Sequence, residues 1–73
     1  MKIDANKYYN VKFKDIEDRI CDINLKGSEL LNKIIHFLNK TYLVSVSFGF
    51  NRIIFNYITP VSINKVIVYY KEV

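Results

Sequence analysis

Tyr42-Leu43-Val44-Ser45-Val46-Ser47-Phe48, then Gly49-Phe50-Asn51-Arg52, then Ile53-Ile54-Phe55-Asn56-Tyr57-Ile58, is the stretch that decides the fold of this chain. Its first arm alternates Tyr42, Val44, Val46 and Phe48 with Leu43, Ser45 and Ser47, the period of a half-buried strand. Its second arm alternates Ile53, Phe55 and Tyr57 with Ile54, Asn56 and Ile58. A turn over residues 49–52 opposes Phe48 to Ile53, Val46 to Phe55 and Val44 to Tyr57, so the three apolar pairs share one face. Pattern and turn agree, and the hairpin is the anchor for the rest.

Outward from it, the segment from Ser28 to Lys40 reads as a helix, with Ser28 as N-cap after Gly27 and Glu29 complementing the dipole in the first turn. Leu30, Leu31, Ile34, Ile35, Phe37 and Leu38 fall on one arc of roughly 160°, and Asn32, Lys33, His36, Asn39 and Lys40 on the other. Beyond the hairpin, Thr59-Pro60 interrupts pairing because proline has no amide donor for a ladder. A last strand over Lys65 to Lys71 then turns Val66, Val68 and Tyr70 to one face and Ile67 and Tyr69 to the other.

At the amino end, Tyr9, Val11 and Phe13 alternate with Asn10, Lys12 and Lys14, and Cys21, Ile23 and Leu25 with Asp22, Asn24 and Lys26. A loop at Ile16-Glu17-Asp18 opposes Phe13 to Cys21, Val11 to Ile23, Tyr9 to Leu25, Lys12 to Asp22 and Asp15 to Arg19. Residues 14–25 also fit a short helix through Phe13, Ile16, Ile20 and Ile23, but only the hairpin accounts for the charges as well. The expected architecture is a single α+β domain over residues 1–73. It has an antiparallel sheet of about five strands in the order β-β-α-β-β-β, with one amphipathic helix on one face.

Composition bounds what such a domain does. Half of the residues are hydrophobic (51%) and there are only two glycines and one proline, which excludes a disordered or collagen-like chain. No run approaches the roughly 20 apolar residues of a membrane span, and Met1 to Lys7 lacks the apolar core of a secretory signal. A lone Cys21 cannot staple the fold, so a reducing, cytoplasmic compartment is expected.

Chemistry-bearing motifs are sparse. Cys21 and His36, each the sole residue of its type, are expected on different sides of the domain and not as a nucleophile pair. The acids Asp15, Glu17, Asp18 and Asp22 have no glycine at a bend and Arg19 in their midst, unlike a calcium loop. Gly27 and Gly49 stand alone, too few for a phosphate cradle. Phe48-Gly49-Phe50 resembles the aromatic core of the RNA-recognition-motif signature, but Asn51-Arg52 departs from it and the chain has no room for that fold's second helix. The expectation is a protein that is not an enzyme and uses no cofactor or metal.

Binding is what the residues suggest. One helix about 10 Å wide covers about three strands spaced about 4.8 Å apart. Leu43, Ile54, Ile58, Ile67 and Tyr69 are therefore expected as an exposed patch on the far face, with Phe50 and Arg52 at the hairpin tip. That surface suits a protein partner, a protein–nucleic-acid complex, or a second copy joined through the sheet. Isoleucine, asparagine, lysine and tyrosine, with their AT-rich codons, suggest a phage or mobile element. Inhibitors of host defence complexes, anti-CRISPR proteins among them, are similar in size and composition, and by that analogy the chain would occlude its target in the host cytoplasm. The alternative is a small nucleic-acid-binding protein, for which a net charge of +4 and Lys33, His36, Lys40, Lys65 and Lys71 are the candidate contacts.

Overall fold

A computed structural model describes residues 2–14 and 19–73. The strands are β1 (Tyr8–Lys14), β2 (Ile20–Lys26), β3 (Leu43–Gly49), β4 (Arg52–Ile58) and β5 (Ile63–Glu72), with helix α1 (Gly27–Leu38) between β2 and β3. They form one antiparallel sheet in the spatial order β2-β1-β5-β4-β3, so the expected architecture and element order are met. The first and last strands lie side by side at its centre, with Val11 opposite Tyr70 and Phe13 opposite Val68.

The amino-terminal segment pairs as a hairpin in the register expected from its charges: Phe13 with Cys21, Lys12 with Asp22, Val11 with Ile23 and Tyr9 with Leu25. The helical alternative is thereby replaced by two strands. The loop Ile16-Glu17-Asp18 and the pairing of Asp15 with Arg19 lie outside the described residues.

The core is the face shared by Tyr9, Val11, Ile53, Phe55, Tyr57, Val66, Val68 and Tyr70, closed by Leu30 and Ile34 of α1. The strands β1, β4 and β5 contribute alternate residues to it, as a pleated strand requires, while β2 and β3 add only the partly buried Leu25, Leu43 and Val46. Phe37 extends the cluster, its ring 5.2 Å from that of Phe55 and 6.0 Å from that of Phe13. The helix leans over β1 and β2, and this placement corrects the expected width of its buried arc. Leu31 is half-buried, while Ile35 and Leu38, on the flank away from Phe37, are exposed.

Three further details depart from expectation. The helix begins at Gly27 and not after Ser28, with Lys26 in the capping position. Its first free amides are taken by the chain itself: Gly27 donates to the Lys7 carbonyl at 2.7 Å and Ser28 to that of Ala5 at 3.2 Å. A serine cap is therefore not needed. The last strand is longer than predicted, because the turn after β4 is short and closed by Thr59 donating to and accepting from Ser62.

The third correction concerns β3. Phe48 faces Ile53 and Val46 faces Phe55 as expected, but the register shifts between Leu43 and Ser45, with Leu43, not Val44, opposite Tyr57. Val44 is the extra residue of a β-bulge and stands 60% exposed. Leu43 turns to the core side and packs against it, so it drops out of the exposed patch. Phe48 lies on the core side too, yet is 56% exposed, since α1 lies toward the other edge. No helix among the described residues is long and apolar enough to cross a membrane.

Candidate functional site

The sheet face turned away from α1 is built by the other half of each strand's alternation. Its rows follow from the pairings. Asp22, Lys12, Tyr69, Arg52 and Gly49 form one row across the sheet from β2 to β3, and Ile20, Lys14, Ile67, Ile54 and Ser47 the next. On one side of these lie Asn24, Asn10 and Lys71, and beyond them Tyr8 opposite Lys26. On the other side lie Lys65, Asn56 and Ser45, then Ile63 opposite Ile58.

Charge is concentrated here. Lys12, Lys14, Lys26, Arg52, Lys65 and Lys71 stand against a single acid among the described residues of this face, Asp22. Asp22 is itself engaged, accepting from Asn10 Nδ2 at 2.9 Å and lying 4.0 Å from Lys12 Nζ. Asn10 also donates to Asn24 Oδ1 at 3.1 Å, and Asn56 to Ser45 Oγ at 3.1 Å. These contacts tie side chains of neighbouring strands across the face.

Tyr69 is the centre of the arrangement. Its side chain is 47% exposed, with Lys12 on one neighbouring strand and Arg52 on the other, each about 4.8 Å away across the ladder. Ile54 and Ile67 oppose each other beside it and are half-buried. At the tip of the β3–β4 hairpin Phe50 is 92% exposed, projecting outward and not folding over the core. Asn51, next to it, takes the left-handed conformation (φ 61°) that asparagine adopts more readily than most residues, closing the turn.

Of the residues expected to bind a partner, Arg52, Ile54, Ile58, Ile67 and Tyr69 therefore share this face, Phe50 stands at its end, and Leu43 belongs to the core side. The expected polyanion contacts are divided. Lys65 and Lys71 lie on the outer face. Lys33, His36 and Lys40 lie on the helix side, where with Arg19 they border a shallow basin of about 660 Å³ floored by Phe37, Tyr57 and Val66. Lys12, Lys14 and Tyr8 are additions that sequence reasoning did not place in the site. The alternation of β1 assigned them a face, but only the pairing of β1 with β5 sets Lys12 opposite Tyr69 and Lys14 opposite Ile67, with Tyr8 at the far end of the strand.

Cys21 is half-buried in β2 and His36 is exposed on α1, its ring 6.0 Å from that of Phe37. Among the described residues, no three histidine, cysteine or acidic side chains come together as metal ligands. The arrangement offers cations, an exposed aromatic ring and amide donors on a rigid sheet, which is equipment for binding. Comparison with protein-family models, with curated proteins and with solved structures found no match to this chain.

Proposed function

We propose that this chain is a non-enzymatic binding protein whose outer sheet face holds a single-stranded nucleic acid. The observation that carries this reading is the row Lys12, Tyr69, Arg52, in which an exposed ring stands between two cations on the sheet face turned away from α1. Single strands are held by this combination: phosphates follow the positive groove while bases stack on aromatic rings, at about 1–3 kcal/mol per stacked base. The interleaving of cations with Ile54 and Ile67 weakens the case for a purely apolar docking patch, as does the loss of Leu43 from it.

The test is anisotropy of a fluorescent oligonucleotide of about 12 nucleotides, titrated at several salt concentrations. Four or five phosphate contacts give a slope of log K against log salt of about −3 for a single strand. Tyr69→Ala should weaken binding about tenfold at every salt concentration, since stacking does not depend on counterion release. Absence of binding at low salt, or binding indifferent to Tyr69→Ala, would reject the reading.

A second reading is favoured by one observation, the exposure of Phe50 beside Arg52 at the hairpin tip. Aromatic and arginine side chains dominate protein-binding hot spots, and this pair suits a protein partner that the domain would occlude, as in an inhibitor of the anti-CRISPR kind. Phe50→Ala would abolish capture of such a partner while leaving oligonucleotide binding intact.

A further inference from the structure

Two tyrosine doublets, Tyr8-Tyr9 and Tyr69-Tyr70, lie in strands that pair with each other, β1 and β5. Alternation sends the members of each doublet to opposite faces. Tyr9 and Tyr70 turn to the core, where they are buried with their rings 6.2 Å apart in an edge-to-face contact. Tyr8 and Tyr69 turn to the outer face and stay 56% and 47% exposed. Among the described residues they are the two aromatic side chains that the strands present on that face, and neither has a ring contact or a side-chain hydrogen bond.

The sheet fixes the interval between them. Tyr69 stands opposite Lys12, and Tyr8 precedes Lys12 by four residues on the same face of β1. At about 3.4 Å per residue and about 4.8 Å between strands, the two positions are about 14 Å apart, nearly along the strand direction. Lys71 falls midway, two residues beyond Tyr69 and opposite Asn10, and is exposed. Ring, cation and ring thus follow one another along the seam of β1 and β5. This half of the face extends away from Lys14 and the β1–β2 connection. In the other direction along β5, Ile67, Lys65 and Ile63 offer no ring.

Resting on the nucleic-acid reading of this face, we propose that one single strand runs along β5 and stacks a base on each of these two rings, with a phosphate between them on Lys71, and that the class of strand it takes is pyrimidine-rich. Bases stacked on one another, as along a duplex strand, are about 3.4 Å apart and cover each other's faces. A strand in that state places about four steps between the rings and has no free base face for them in its interior. Only a strand drawn out of its own stacking gives a base to both. Pyrimidine runs resist this least, and the preferences of single-strand binders arise from stacking strength and backbone flexibility. A lone ring at Tyr69 takes a terminal base and carries no such preference. The second ring, Tyr8, is what creates it.

Anisotropy with fluorescent oligodeoxythymidine and oligodeoxyadenosine of about 12 nucleotides tests this. Oligodeoxythymidine should bind several-fold more tightly, a comparison that needs no variant. Tyr8→Leu should weaken oligodeoxythymidine binding about tenfold, the loss of one stacked base, and bring the two oligonucleotides close to equal affinity. Tyr8→Phe keeps the ring and should behave as the parent in both respects. Circular dichroism should be unchanged in both variants, because Tyr8 is exposed. Unchanged affinity in Tyr8→Leu, beside a loss in Tyr69→Ala, overturns the proposal and leaves the nucleic-acid reading standing. So does oligodeoxyadenosine binding as tightly as oligodeoxythymidine, or a loss in Tyr8→Phe equal to that in Tyr8→Leu. Absence of binding to either oligonucleotide overturns both.

Discussion

The Tyr57 hydroxyl donates to the carbonyl of Phe37 at 3.1 Å, tying the last turn of α1 to β4. Burial pushes this phenol above its ordinary value of 10.0, and does the same to Tyr70, where the charge of Tyr9 adds to the effect. The Glu72 carboxylate, 3.1 Å from Lys7 Nζ, raises that lysine as well. All three groups bind their protons more tightly when folded. Their contribution to stability is therefore complete below about pH 10, the unfolded tyrosine value, and is lost as pH rises through the raised folded values. Urea midpoints should fall as pH rises above about 10, and less steeply in Tyr57→Phe. At neutral pH that variant should lose about 1 kcal/mol with the hydrogen bond. Gly27 is a second critical position, for a steric reason. A Cβ there would overlap the Asp4 carbonyl oxygen and come within 2.7 Å of its carbon, in the segment that caps α1. Gly27→Ala should cost about 1–3 kcal/mol by overpacking, seen as a lower urea midpoint with an unchanged slope.

At the scale of the element, the β3 bulge decides which of two adjacent apolar residues is buried. Leu43 and Val44 are equally suited to a core by composition, and strict alternation from Phe48 back selects Val44. The extra residue reverses the assignment. Deleting Val44 should leave Leu43 opposite Tyr57 in an uninterrupted ladder, so that the fold survives with a stability change within about 1 kcal/mol. Leu43→Asp, by contrast, places an unpartnered carboxyl against the core and should lower the urea midpoint far more. The helix tells a related story. Its periodicity was legible, but Ile35 and Leu38 remain exposed because α1 leans toward β1 and β2, a choice that depends on the strand order and not on the helix sequence.

For the whole molecule, the notable property is the separation of its basic residues into two unlike regions. Lys12, Lys14, Lys65 and Lys71 lie on the outer face, while Lys33, His36 and Lys40 border the basin beside α1. If the outer face is the binding surface, Lys65→Glu with Lys71→Glu should weaken oligonucleotide binding and reduce the salt slope by one to two. Lys33→Glu with Lys40→Glu, an equal change in net charge, should have a much smaller effect, limited to long-range attraction that salt screens. Equal losses in both double variants would mean that overall charge, and no particular face, drives the interaction.

Local pattern sufficed for the elements. Period-two alternation, the turn at Gly49-Phe50-Asn51-Arg52 and the charge pairing of Lys12 with Asp22 are encoded by neighbours in the chain, and they specified both hairpins and the faces of β4 and β5. The sequence by itself therefore determined the α+β class, the element order and most of the core. Only the tertiary structure decided that β1 and β5 are neighbours, because that contact joins strands more than fifty residues apart and leaves no local trace. From that one pairing comes the Lys12, Tyr69, Arg52 row. A side chain's face is set by its own strand, whereas its companions on that face are set by the order in which the strands assemble.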